Sequence, residues 1–308
     1  MIINSDERQW TWMDEGLNTF VQSLTQKEYY KDMPLRRGTA ESIVDYMRSP
    51  KDMLRPIMTN SEQIASREFG ANAYGKPASA LSVLRETIMG PELFDYAFKE
   101  YSRRWAFKHP DPADFFRTME DASAIDLDWF WRGWFYSTDN VDVSVEGVKW
   151  FKMKNVDKPF ENKAKVENKE IKGKKNQSDD PKYAMPFEPS EFYFSSTNKN
   201  EYREFMNQVD DDKIKMQNSN KNFYEVTFEN KGGLVTPLII EWTYEDGSIE
   251  IEKLPAEIWR LNETVVSKVF VKDKIVKNIK LDPYKETAEV NMDDNNYPTV
   301  SYKHLRAH

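Results

Sequence analysis

Apolar side chains follow two different periods along this chain. Up to about residue 140 they recur three and four positions apart, as on one face of a helix; from Phe223 they recur at every second position, as on a strand covered on one side. Leu17, Phe20, Val21 and Leu24 define the first helix, with Asp14 placed to cap it. Pro34 and Arg36-Arg37-Gly38 read as a loop, after which Ile43, Val44 and Met47 form an apolar stripe over 40–47. Thr59-x-x-Glu62 has the form of a capping box that opens a short helix at Ile64. Pro91 suits the first turn of a helix whose buried face is Phe94, Ala97, Phe98 and Tyr101. Asp111-Pro112 starts the next helix, and Asp126 caps the one that carries Leu127, Phe130, Trp131 and Trp134.

In the second half, Tyr224, Val226 and Phe228 alternate with Glu225, Thr227 and Glu229, and Leu238, Ile240, Trp242 and Tyr244 repeat the pattern. Asp246-Gly247 is a hairpin signal leading to Ile249 and Ile251, and 265–271 and 275–281 supply further strands. Between the halves, 151–182 is rich in lysine, acids and asparagine with few large apolar groups, the composition of a solvated linker. A short helix is expected at 201–209. The expected fold is therefore multidomain α + β: a helical part over 1–145, the lysine-rich linker and short helical segment over 146–221, a small antiparallel β-sandwich over 222–298, and a tail over 299–308.

Composition narrows the chemistry. With 308 residues, two or more domains are expected, and aromatic residues at 14% are enough to build cores although 31% of positions are charged. The absence of cysteine excludes disulfides, thiol catalysis and cysteine metal sites. A net charge of −8, spread along the sequence, argues against a nucleic-acid partner. No apolar run reaches the roughly 20 residues of a membrane span, and the polar start lacks a signal peptide's apolar core.

The candidate functional residues are few. Glu15 stands in the first turn of a helix, where a solvated glutamate favoured by the helix dipole is the ordinary reading. Tyr74, in Ala73-Tyr74-Gly75-Lys76-Pro77, reads on its own as a half-buried packing residue ahead of a helix bearing Leu81, Leu84 and Ile88. The aromatic run from Asp128 to Tyr136 has rings at helical spacing and reads as core. Arg36, Arg37 and Lys76 are cations that could face a cleft. The Asp293-Asp294-Asn295-Asn296 string lacks the spacing of an EF-hand loop and reads as a polar turn. Of the three histidines, His304 and His308 have the i, i+4 spacing of a metal pair, but Leu305 stands where a general-base glutamate is needed.

The segment Trp12-Met13-Asp14-Glu15-Gly16 resembles the Trp-x-Asp/Asn-Glu-Gly motif of peptidase family M1, the zinc aminopeptidases of gluzincin type, and Tyr74-Gly75-Lys76 resembles that family's Tyr-x-Lys-Gly/Ala motif, with Pro77 where glycine is common. The later Asp246-Gly247-Ser248 and 255–260 stretches resemble the β domain that follows the catalytic domain in bacterial members. The resemblance implies that Glu15 is the third zinc ligand and that Tyr74 donates a hydrogen bond to the oxyanion formed when water adds to a peptide carbonyl. It also implies that the helical part is the remainder of a gluzincin catalytic domain, starting just after the His-Glu-x-x-His helix. The two histidine ligands and the general-base glutamate are then expected upstream of Met1, as is the strand that holds a substrate's amino group. Zinc is expected in the parent protein and not in this chain alone, since one carboxylate does not make a zinc site. Peptides are the expected substrates, and an upstream catalytic segment the expected partner. A non-catalytic peptide- or protein-binding module on the same fold is the alternative.

Overall fold

The computed structural model describes residues 2–153, 190–192 and 221–298. The lysine-rich stretch beyond Met153, the helix expected at 201–209 and the tail with His304 and His308 lie outside the described residues.

Helix α1 spans Glu15–Tyr29, α2 Val44–Met47, α3 Ser66–Phe69, α4 Lys76–Val83, α5 Pro91–Trp105, α6 Pro112–Ser123 and α7 Asp128–Tyr136. The sequence signals for α5 and α6 correspond to real starts: Pro91 opens α5, and Asp111 closes a reciprocal capping box with Asp114 ahead of Pro112. Two starts are built differently. Asp14 has helical backbone angles and makes no capping bond, because a 3-10 turn over Thr11–Met13 runs into α1; its carboxylate takes the Asn18 amide instead, at 3.1 Å. Asn60, not Thr59, caps the turn Ser61–Gln63, its side chain accepting from the Glu62 N–H at 3.0 Å.

Helices α3 and α4 form one continuous helical run over 66–89, which widens to π-helical register at Gly70–Gly75 and again at Leu84–Met89. The first widening sits directly before Pro77, where a proline removes an N–H and crowds the preceding turn. Tyr74 is therefore inside a helical run and not in a loop ahead of one. The run is buried nearly throughout α4 and shares one apolar cluster with Trp12, Phe115, Phe116, Trp131 and Phe135, whose rings form a chain of edge and stacked contacts. The aromatic run of α7 is thus core on the side of Phe130, Trp131, Trp134 and Phe135.

Among the described residues the strands make two four-stranded sheets, ordered β2-β1-β3-β6 and β5-β4-β7-β8. Their bounds are β1 Val143–Met153, β2 Ser190–Phe192, β3 Asn222–Asn230, β4 Leu238–Tyr244, β5 Ile249–Leu254, β6 Val265–Lys272, β7 Val276–Leu281 and β8 Asn296–Tyr297. All pairings are antiparallel except β1 with β2. Alternate positions of β3 are buried from end to end, as its sequence demands, and Trp242 of one sheet meets Phe270 of the other at 4.8 Å. The β4–β5 hairpin turns at Asp246-Gly247, where Gly247 has φ of +80°. Strand β1 crosses the 145/146 boundary expected from composition and pairs along nearly its whole length with β3, so sheet structure begins well before residue 222.

Helices and sheets share one apolar cluster. At their junction Lys285 pairs with Glu41, and the Thr87 hydroxyl donates to the Glu286 carbonyl at 3.2 Å. Among the described residues no helix is long and apolar enough to cross a membrane.

Candidate functional site

Trp12 and Met13 are buried, and the Trp12 ring is fixed by Phe115, Phe116 and Phe135. These anchors hold the start of α1 against the 66–89 run. A Cβ built on Gly16 would lie 2.6 Å from Pro77 Cγ and 3.2 Å from the Ala73 carbonyl oxygen, so only glycine permits this approach. The two motif stretches therefore touch through Gly16 and Pro77, and the proline that departs from the family pattern is the contact surface.

Beside that contact the Tyr74 hydroxyl donates a 2.6 Å hydrogen bond to Oε1 of Glu15. Both side chains are half-buried. Donating to the Glu15 carboxylate, with some loss of solvent and the Glu15 and Asp14 charges nearby, moves the phenol above its ordinary pKa of 10, and the Arg37 guanidinium opposes this. Arg37 lies 4.9 Å over the Tyr74 ring. Asp14 is itself raised, by burial first and then by its hydrogen bond and repulsion with Glu7.

The three cations read from sequence separate. Arg37 is at the site, Arg36 is exposed, and Lys76 is buried at 2% exposure with Nζ donating to the Ser137 carbonyl at 3.1 Å. Burial lowers the Lys76 ammonium to about 8, partly offset by the charge of Asp139. Lys76 faces the end of α7 and not Tyr74's partner Glu15. Sequence reasoning missed the stacking of Arg37, which no period or spacing signals, and the packing role of Gly16 with Pro77, for which the departure at Pro77 was the one available sign.

The chemistry of the donors decides what the site can hold. A catalytic zinc needs three protein ligands, and Glu15 supplies one carboxylate. His109 is bonded to Asn4, its Nδ1 lying 3.0 Å from the Asn4 carbonyl oxygen. Among the described residues the cluster with metal-like spacing is Glu120, Asp126 and Asp128, which excludes Glu15. Among the described residues, those gathered at this point are the Glu15 carboxylate, the Tyr74 phenol and the Arg37 guanidinium over its ring. What they form is a carboxylate with a phenol held at its oxygen.

Residues 3–134 match the peptidase family M1 domain. No curated protein matches the sequence. Among solved structures the chain is similar to Legionella pneumophila aminopeptidase A in complex with aspartic acid, at 12% identity and a TM-score of 0.44, over 90% of this chain and 22% of that one. The chain thus spans less than a quarter of the length of that structure.

Proposed function

From the match of residues 3–134 to the peptidase family M1 domain, we propose that this chain carries the carboxylate and phenol of a zinc aminopeptidase site whose two imidazoles and general base come from outside residues 1–308. In this reading the parent protein hydrolyses N-terminal peptide bonds. Glu15 is the third zinc ligand and Tyr74 the donor that stabilises the carbonyl oxygen as it gains charge. The 2.6 Å bond between two side chains from separate motif stretches is the observation that carries the reading, because a solvated helix-start glutamate has no need of it.

The electrostatics agree with a donor role. A phenol raised above 10 stays protonated at neutral pH and so offers its O–H, where a depressed one would serve as a base. One oxyanion donor is worth about 3 kcal/mol of transition-state stabilisation. In the protein joined to its histidine-bearing segment, Tyr74→Phe is expected to lower kcat by about 100- to 1,000-fold with KM little changed. An unchanged kcat contradicts the assignment.

A second reading, a non-catalytic peptide-binding module on the same fold, is favoured by the single carboxylate of the donor set. It is distinguished by the absence of turnover in that joined protein.

A further inference from the structure

Asparagine is a poor residue for a helix interior, because its side chain competes for backbone hydrogen bonds, yet Asn72 stands inside the π-helical segment Gly70–Gly75 at 1% exposure. Its amide accounts for the placement. Nδ2 donates to the Arg55 carbonyl at 2.8 Å and to the Pro56 carbonyl at 3.1 Å, which ties the segment to a loop 16 and 17 positions upstream.

That loop is itself anchored. The Thr59 N–H donates to the Pro56 carbonyl at 3.1 Å, Ile57 is buried, and the Met58 N–H donates to the Phe135 carbonyl of α7 at 3.0 Å. The Phe135 ring in turn meets Trp12, close ahead of Glu15, at 4.8 Å. On the other side of Tyr74, Lys76 donates to the carbonyl of Ser137, which follows α7 directly. The stretch that carries Tyr74 is thus referred to the end of α7 from both sides, and the start of α1 is referred to the same place.

Asn72 and Tyr74 are two positions apart, which is about 200° of turn in an α-helix, so their side chains leave nearly opposite sides of the segment. The carboxamide is clamped on one side while the hydroxyl reaches Glu15 on the other. A π segment holds an extra residue, and its place sets the direction of the side chains around it; a slip of one position would turn Tyr74 by about 100°. Pro77 has no N–H to bond back into the preceding turn, so it permits a widening without fixing its register. A bond made from within the segment does fix it.

We propose that Asn72 is a positioning residue: its two bonds to the Arg55 and Pro56 carbonyls hold the π register that aims the Tyr74 hydroxyl at Glu15. Its bearing on catalysis rests on the role proposed for Tyr74; the geometry does not. A bond with a merely structural role adds to stability and leaves the phenol's surroundings unchanged in every folded molecule. A positioning bond, once removed, lets the phenol leave the carboxylate while the rest of the chain stays folded, and the phenol then loses its proton more easily.

The test is the titration of the Tyr74 phenol by carbon-detected NMR in the full chain, its resonance identified by its loss in Tyr74→Phe. Asn72→Leu removes both donors at similar volume, and Asn72→Ser keeps one hydroxyl donor. Met119→Ala, which loosens the buried face of α6, serves as a destabilised comparator. Asn72→Leu is expected to move the Tyr74 midpoint at least half of the way from wild type to the Glu15→Gln protein, Asn72→Ser less far, and Met119→Ala not at all. Where only one Asn72 variant folds, that one decides. A midpoint unchanged in the Asn72 variants, an equal shift in Met119→Ala, or failure of both Asn72 variants to fold would each overturn the proposal. In the protein joined to its histidine-bearing segment, Asn72→Leu is expected to lower kcat by about tenfold or more with KM little changed, and an undiminished kcat overturns the catalytic part. Should Tyr74→Phe itself leave kcat unchanged, the peptidase reading fails and the titration alone decides the positioning.

Discussion

The Tyr74 phenol donates to Glu15 Oε1 across 59 positions of sequence, at 2.6 Å. Because the acceptor is a carboxylate, ionising the phenol would set two negative oxygens against each other, and the proton is held more tightly than in water. Replacing Glu15 by Gln removes that repulsion while keeping an acceptor. The Tyr74 resonance in carbon-detected tyrosine NMR, identified by its loss in Tyr74→Phe, is expected to titrate above pH 10 in the wild type and lower in Glu15→Gln. Equal titration in both proteins contradicts the pairing.

Gly16→Ala tests how the two stretches are held together. The added Cβ would sit 2.6 and 2.8 Å from ring carbons of Pro77, inside van der Waals contact, and the start of α1 must move away from the run. A loss of about 1–3 kcal/mol is expected in denaturant unfolding, with the Tyr74 titration falling toward that of the Glu15→Gln protein as the hydrogen bond lengthens. Unchanged stability and titration together would show that the contact is not tight.

Much of the helical part was readable because each helix buries one face. Phe94, Ala97 and Tyr101 repeat at 3.6-residue spacing, and the Asp111/Asp114 box marks a start by local bonding alone. Strand β1 was not readable for a physical reason: a register shift between Val145 and Gly147 moves the buried set from Val143 and Val145 to Val148 and Trp150, which breaks the period of two. The helical register around Tyr74 was hidden as well, since glycine and proline on either side imitate a loop while the run passes through as a π segment. The hydrogen bond between Glu15 and Tyr74 has no local signature; the resemblance of two distant motifs implied a common site for the two residues but not that bond.

Lys76 is a buried ammonium with one hydrogen bond and no carboxylate at ion-pair distance among the described residues. Its folded pKa of about 8 lies below the unfolded value near 10.4, so the unfolded state binds more protons between them and this group's contribution to stability rises with pH across that window. Lys76→Met is expected to stabilise the fold by roughly 1–3 kcal/mol at pH 7 and to remove that rise. Denaturant midpoints at pH 7, 8 and 9.5 decide the matter, and a destabilised Lys76→Met protein with an unchanged slope contradicts it.

Glu289 gives the opposite slope. Its carboxylate accepts the N–H groups of Val143 and Asn291, both at 3.0 Å, yet burial, joined by the Asp142 and Asp294 charges, raises it to about 8. The folded state then binds more protons between about pH 4.5 and 8, and stability falls as pH rises through that window by an amount on the order of a few kcal/mol. In Glu289→Gln this part of the pH dependence is expected to vanish, whatever the substitution does to absolute stability. A slope that persists in the variant assigns it to other groups.

The central claim is that Glu15 is one ligand of a metal centre whose remaining donors this chain does not supply. Its most direct test is the zinc content, by elemental analysis after dialysis, of the 308-residue chain alone and of the same chain joined to a segment ending in a His-Glu-x-x-His helix. We expect near zero zinc for the chain alone, about one per molecule for the joined protein, and loss of that zinc in Glu15→Ala. Stoichiometric zinc in the isolated chain, or zinc in the joined protein that is indifferent to Glu15→Ala, would contradict the account.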